Sequence, residues 1–386
     1  MLTAEQREIR QLARDFAEGE IIPHAAGWDR EGAFDREVLD RLADLGFLGM
    51  LVPPDYGGLG LDVPTYLVAL EEIARGDAAL ALTVAIQNAP VPHILLTHGT
   101  EEQKSRWLPA LAAGEKIAGF ALSEAGAGSD PAAMATRARQ DHGGWTLTGT
   151  KRWVTNGSRA DLVVAFARTG REAGSKTPIG AFLLDTAAEG YRVGERETTM
   201  GLRASETVWV ELDGVRVTDC RLVGDPGSGL NYALGALDLG RLGIAAQAVG
   251  IAQASLEHAV RYAAERRQFG RPIASFGAVR SKLAVMATRI AASRALFMEG
   301  AAAWEERDRL TDGGLPITAR SAMAKLFASE TAGWVTEEAV RIFGGYGFMR
   351  EFPVERLMRD AKGTEIYEGT SEILRFVIGR SLTDGR

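Results

Sequence analysis

Val208-Trp209-Val210-Glu211-Leu212-Asp213-Gly214-Val215-Arg216-Val217 is the stretch on which the fold turns. Two runs rich in valine flank an Asp-Gly pair, the composition of a tight hairpin turn between strands. A hairpin with Asp213-Gly214 at its tip is therefore expected. Further β-prone runs precede it at Trp145 to Thr148, Leu162 to Ala167 and Ala181 to Leu184, and Asn156-Gly157 is a second turn signal. Residues 120–230 thus read as a middle β domain, a sandwich or a barrel.

The period changes on both sides. Residues 1–119 read as an N-terminal α-helical domain. Thr3 with Gln6 forms a capping box ahead of Ile9, Leu12, Ala13 and Phe16, and Thr100 with Gln103 forms another ahead of Trp107, Leu108 and Leu111. Pro53-Pro54-Asp55-Tyr56-Gly57-Gly58 breaks the helical pattern between them. Residues 231–386 read as a C-terminal four-helix bundle. Its long helices are expected at Leu234 to Glu265, Phe276 to Leu310 and Pro316 to Phe343, with a shorter one from Pro353 to Ile378. The order is α, then β, then α: a multi-domain α and β protein.

Composition narrows the function. The 386 residues are 46% hydrophobic and 25% charged, as in ordinary globular proteins, with a formal net charge of −7. That charge argues against nucleic acid as the main partner. The single cysteine, Cys220, cannot form an internal disulfide and reads as a small packing residue near a strand end. Charged residues stud the first twenty positions, so no apolar leader is visible and cytoplasm is the expected location. Ala78 to Thr100 carries no charge but includes Pro90 and Pro92; a buried helix running into a buried loop is expected there, not a membrane span.

Several motifs fail on spacing. Gly170 to Thr177 lacks the glycine spacing of a phosphate loop, and no Gly-x-Gly-x-x-Gly follows a strand to open a helix. Gly369-Thr370-Ser371-Glu372-Ile373 lacks the second glycine of a hydrolase elbow. His93 and His98 are five apart with no acidic partner, so no metal is expected.

Four segments remain. Phe120-Ala121-Leu122-Ser123-Glu124-Ala125-Gly126-Ala127-Gly128-Ser129-Asp130 runs an apolar strand into a small-residue loop, where backbone N–H groups can approach a flat ligand. A tight turn between domains reads almost as well. In Lys151-Arg152-Trp153-Val154-Thr155-Asn156-Gly157, Trp153 and Thr155 share one face of a strand and could offer a stacking plane and a hydroxyl; a hairpin with a half-buried Trp competes. Arg341 to Phe348 closes a long helix with more glycines than a C-cap needs. In Arg359 to Ile373, Glu368 lies beside Gly369, after an apolar pair and before a helix capped by Thr370 or Ser371. A wet loop is the ordinary setting for such a Glu, but Ile366 and Tyr367 speak for an apolar one, which raises a carboxyl pKa.

In this order and spacing the four segments resemble the acyl-CoA dehydrogenase family along nearly the whole chain. The resemblance implies FAD held between the middle and C-terminal domains. Phe120, Leu122, Ser123, Ser129, Trp153 and Thr155 match flavin-side positions. Arg266, Gln268 and Phe269, with Arg341 and Gly345, match positions where a neighbouring subunit of a homotetramer meets the cofactor. Thr370 and Glu372 lie where its adenine half is held. Ser129, Asp238, Arg241 and Gly369 match substrate-side positions, and Glu368 matches the catalytic base. Some members carry the base on the long helix instead; Gly240, just before Arg241, has no side chain, which leaves Glu368.

The implied reaction removes an α-proton to Glu368 and a β-hydride to the flavin, giving trans-2-enoyl-CoA. The thioester oxygen would be held by the Glu368 N–H and a ribityl hydroxyl, and electrons would pass on to an electron-transferring flavoprotein. Ala125, Arg341 and Gly363 depart from the family's usual residues. The competing readings are oxidase or lyase chemistry in the same fold, and a non-catalytic helical interaction protein. Retention of Glu368 weighs against a lyase. The sequence does not choose the acyl group.

Overall fold

The computed structural model describes residues 2–170, 178–307 and 315–383. Its first helix opens as the capping box predicts: the Gln6 N–H donates to the Thr3 hydroxyl and the Thr3 N–H to the Gln6 side chain. Helix α1 (Ala4–Phe16) passes through a π turn into α2 (Ile22–Glu31), and α3 (Arg36–Asp44) turns Val38, Leu39 and Leu42 inward. Helix α4 (Val63–Gly76), capped by Asp62, is buried at every position but Pro64. The charge-free run beyond it is not a helix and a loop. It forms α5 (Ala78–Asn88), bends at Ala89 and stays helical as α6 (Pro90–His98). Pro90 and Pro92 fall in the first turn of α6, where no intrahelical N–H bond is lost. Helix α7 (Glu101–Ala112) carries the second capping box, and its Gln103 amide also donates to the Cys220 and Leu222 carbonyls of the next domain.

Eight strands follow: β1 (Ala118–Ala121), β2 (Arg137–Asp141), β3 (Gly144–Thr155), β4 (Leu162–Arg168), β5 (Ile179–Asp185), β6 (Tyr191–Arg196), β7 (Thr207–Thr218) and β8 (Leu222–Val223). They form one mixed sheet of order β6-β7-β3-β2-β4-β5-β8, with β1 added parallel to β4. The expected boundary after residue 119 falls inside β1. A single residue pair, Arg137 with Arg168, joins β2 to β4. The sheet folds there, and its halves enclose Trp145, Leu147, Val163, Ala165, Phe182, Val210 and Val215 as a sandwich would. The other face of β4, at Leu162, Val164 and Phe166, packs with Ile94, Leu95, Trp107 and Leu108 of α6 and α7.

The expected hairpin at Asp213-Gly214 does not form. Strand β7 runs straight through, and both valine runs pair with β3. Val215 opposes Leu147 and Asp213 opposes Thr148, so Gly214, at φ 69°, is the extra residue of a bulge. Asp-Gly serves a bulge as well as a turn, because both need a residue in the left-handed region. Cys220 is exposed rather than packed, in the turn between β7 and β8. Of the rejected phosphate loop, residues 171–177 lie outside the described residues.

Helix α8 (Gly229–Glu265) begins the bundle, and a short hairpin, β9 (Arg267–Gln268) with β10 (Arg271–Pro272), leads to α9 (Gly277–Glu305). Helix α9 stops five residues before the expected end at Leu310, which lies outside the described residues. Helix α10 (Ile317–Phe343) follows. The last segment is two helices, α11 (Pro353–Thr364) and α12 (Ser371–Thr383), separated by a loop that carries Glu368. Helices α8 to α11 make the bundle and α12 rests on α10. Both Ala78–His98 and α8 are long and apolar enough to cross a membrane, but their apolar windows are 89% and 83% buried, so they act as core helices.

Candidate active site

The loop between α11 and α12 is anchored by Tyr367, whose hydroxyl donates to Gln247 Oε1 on α8 at 2.7 Å. A Cβ at Gly363 would lie 2.9 Å from Leu202 Cδ1 and 3.1 Å from Tyr367 Cε1, so glycine there admits both side chains. Glu368 then adopts φ 53° and Gly369 φ 104°. A glutamate in the left-handed region costs energy and persists only when its surroundings impose it. Two cations do so. Arg241 Nε donates to the Glu368 carbonyl at 3.3 Å, and Lys325 Nζ to the Gly369 carbonyl at 2.7 Å. Arg241 is itself held by Asp238 at 2.6 Å, which accepts from the Thr318 hydroxyl at 2.6 Å.

Because both cations bind main-chain oxygens, the Glu368 carboxylate is left without them. Its Oε2 is buried and has no hydrogen-bond partner. It rests on bare backbone: a Cβ at Gly240 would meet Oε2 at 2.5 Å, Oε1 at 2.7 Å and Cδ at 2.8 Å. Burial raises its pKa to about 7, against the pull of Arg241 and Lys325. Among the described residues nothing accepts from the Glu368 N–H. The loop therefore presents a near-neutral base and a free donor side by side.

The other segments lie on the middle domain and on the far side of the bundle. Phe120 packs its ring on Phe166, and the Ser123 carbonyl accepts the Arg152 N–H at 2.9 Å, which sets the first two motifs side by side. Beneath them Lys151, fully buried, donates to Glu124 at 2.8 Å and to the Leu122 carbonyl at 3.1 Å. Glu124 also accepts from the Ala135 and Thr136 N–H groups. Ser129 is exposed, and a Cβ at Gly126 or Gly128 would meet nothing within 4 Å. Trp153 sits in a bulge at φ 56° with 52% of its surface exposed; it and half-buried Thr155 flank Val154, which is buried on the opposite side.

Arg266, Gln268 and Gly345 line one cavity of about 450 Å³, beside Tyr262, Phe343 and Tyr346. Gln268, Phe269 and Arg341 line a second of about 270 Å³. Two sequence-distant motifs thus share one surface. Arg341 is engaged by Glu337 and Glu338. Thr370 caps α12, accepting the Ile373 N–H, and Glu372 is exposed in its first turn. His93 and His98 diverge, one against Trp304 and the other on Tyr232.

Three family models match in succession: acyl-CoA dehydrogenase N-terminal domain at residues 3–115, middle domain at 119–215 and C-terminal domain at 227–383. The chain belongs to the acyl-CoA dehydrogenase family. The mitochondrial short-chain specific acyl-CoA dehydrogenase of Bos taurus is 44% identical over 374 residues, covering 97% of this chain and 89% of that protein. Butyryl-CoA dehydrogenase from Megasphaera elsdenii has a TM-score of 0.94 and 39% identity, covering 99% of both chains. A glutaryl-CoA dehydrogenase from Mycobacterium smegmatis in complex with FADH2 has a TM-score of 0.91 and 32% identity over 99% of this chain and 95% of that one.

This acyl-CoA dehydrogenase is an oxidoreductase, and FAD is its cofactor. Its surfaces fit such a group: a half-exposed indole, a loop of unobstructed glycines, and a carboxylate whose buried oxygen has no partner. Lys325 escaped the sequence reading. Its signal was a lone charge within the small and apolar run Ser321-Ala322-Met323-Ala324-Lys325-Leu326-Phe327-Ala328. The Lys151–Glu124 pair was likewise missed, because its partners are far apart in sequence.

Proposed function

We propose that this enzyme removes hydrogen from the α and β carbons of an acyl-CoA thioester to give a trans-2-enoyl-CoA, with Glu368 taking the α-proton. One observation carries the reading: Glu368 is clamped by its carbonyl while its carboxylate Oε2 lies buried and unpartnered. A base works best with a pKa near the operating pH, and burial supplies that. Excluding water with the acyl chain raises it further toward the acidified α-carbon. The unclaimed Glu368 N–H is a donor for the thioester oxygen as negative charge develops there. Bound FAD supplies the acceptor for the β-hydride.

Phe120, Leu122, Ser123, Ser129, Trp153 and Thr155 are proposed to hold the flavin half. Thr370 and Glu372 are proposed for the adenine half, and Ser129, Asp238, Arg241 and Gly369 for the substrate side. Asp238 and Arg241 also steady the base loop from below. Arg266, Gln268, Phe269, Arg341 and Gly345 are proposed to meet the FAD of a neighbouring subunit in a homotetramer. Phe269 and Phe348, 92% and 86% exposed, support a covered surface there. An electron-transferring flavoprotein is the proposed electron acceptor, and cytoplasm the proposed location. The names of the similar proteins favour a short acyl group.

The test is anaerobic titration of the yellow protein with butyryl-, octanoyl- and isovaleryl-CoA beside Glu368→Gln. Rapid flavin bleaching by one thioester, lost in the variant, is expected. Bleaching that survives in the variant removes Glu368 from the mechanism.

A further inference from the structure

The face of α8 that receives Glu368 continues inward. Gly240, Gly243 and Gly250 fall within one arc of the helix, three and seven residues apart. The Glu368 carboxylate covers the first. The Tyr66 hydroxyl of α4 covers the second: a Cβ at Gly243 would lie 3.0 Å from it. At the third the gap has closed, since a Cβ at Gly250 would lie 2.4 Å from the Glu71 carbonyl and 2.9 Å from the Arg75 nitrogen. Helices α4 and α8 therefore converge from Gly240 toward Gly250, and Tyr66 fills the wedge just before they meet. Every α8 position from Asp238 to Ala252 is buried, whereas residues 230–237, apart from Ala233 and Ala236, are partly exposed. The more exposed approach to Glu368 is thus on the N-terminal side of α8, and Tyr66 lies on the inner side.

We infer that Tyr66 is the end wall of the acyl channel and sets the length of chain the enzyme accepts. The inference rests on Glu368 marking the α-carbon. At ~1.5 Å rise per residue the two glycines are ~4.5 Å apart along the helix, space for about three carbon–carbon bonds. Chains of about four or five carbons fit; longer ones must displace a fully buried ring. The Tyr66 hydroxyl is buried with no hydrogen-bond partner, an arrangement a phenylalanine would avoid. Its oxygen brings the wall one atom closer to Glu368. Burial, and then the Glu368 charge, push its pKa up, so the wall stays neutral.

The experiment compares FAD-loaded wild type with Tyr66→Phe, Tyr66→Leu and Tyr66→Ala, measuring kcat/KM for butyryl-, hexanoyl- and octanoyl-CoA, with flavin content as the check on folding. The wild type is expected to lose activity steeply with length. Leu and Ala should raise the octanoyl-to-butyryl ratio by about tenfold or more, the scale on which pockets discriminate methylenes, and Phe should raise it less. A ratio unmoved in Leu and Ala overturns the inference, as does a wild type that prefers octanoyl-CoA. If Ala loses its flavin, Leu, which keeps more of the volume, decides. Glu368→Gln measured alongside separates the two readings: an active Gln variant removes the base, whereas an inactive one with unmoved Tyr66 ratios removes only the wall.

Discussion

Gly240→Ala isolates the contact on which the proposed base, Glu368, depends. The new methyl would sit 2.5 to 2.8 Å from the two carboxylate oxygens and the carboxyl carbon of Glu368. Non-bonded carbons settle at about 3.5 to 4.0 Å, so the carboxylate must withdraw by roughly 1 Å. It cannot do so by relaxing its loop, because Arg241 and Lys325 hold the carbonyls of Glu368 and Gly369 and Tyr367 is tied to Gln247. The side chain must rotate away instead. A displacement of 1 Å costs about 100-fold in rate, or about 2.7 kcal/mol of barrier. Stability should move the other way, since alanine is favoured over glycine within a helix by up to about 1 kcal/mol. The assay is single-turnover flavin bleaching by butyryl-CoA, with thermal melting and flavin content alongside. A large fall in rate with an unchanged or raised Tm is expected. A variant that keeps its rate within about threefold would show that the carboxylate is not pinned on α8, and the positional argument for Glu368 would fail.

Four further outcomes are expected. Activity in kcat/KM should rise with pH through about 7 as the Glu368 carboxylate forms. The same raised pKa means that wild-type stability is intact below the unfolded value of 4.5 and declines as pH rises through about 7, so Glu368→Gln should melt higher than wild type above about pH 8 and alike at about pH 4. Lys325→Met should shift the activity profile to higher pH, because Lys325 holds the Glu368 pKa down, and should lower kcat more than it changes KM; an unmoved profile refutes the coupling. Lys151→Met should cost about 3 to 5 kcal/mol by leaving Glu124 buried without its cation, and adding Glu124→Gln should recover part of the loss in melting experiments.

Local chemistry was legible in the sequence. Both capping boxes, the three long helices and strands β1, β3, β4, β5 and β7 follow from side-chain period and from residues that satisfy their own neighbours' backbone groups. Glu368 was legible too, as a carboxylate wedged between an apolar pair and a glycine. The family's four segments were present as contiguous strings, each short enough to read whole. Tertiary structure decided what no string contains. Asp213-Gly214 could turn or bulge, and only the length of β3 available for pairing chose the bulge. Glu368, the proposed base, owes its strained backbone to Arg241, Lys325 and Gln247, residues far away in sequence. Its bare resting place at Gly240, and the convergence of α4 on α8 that puts Tyr66 behind it, depend on how two domains pack. A residue's period and propensity are set by its neighbours along the chain, whereas a pKa, a strained φ and the depth of a channel are set by whatever the fold brings against it.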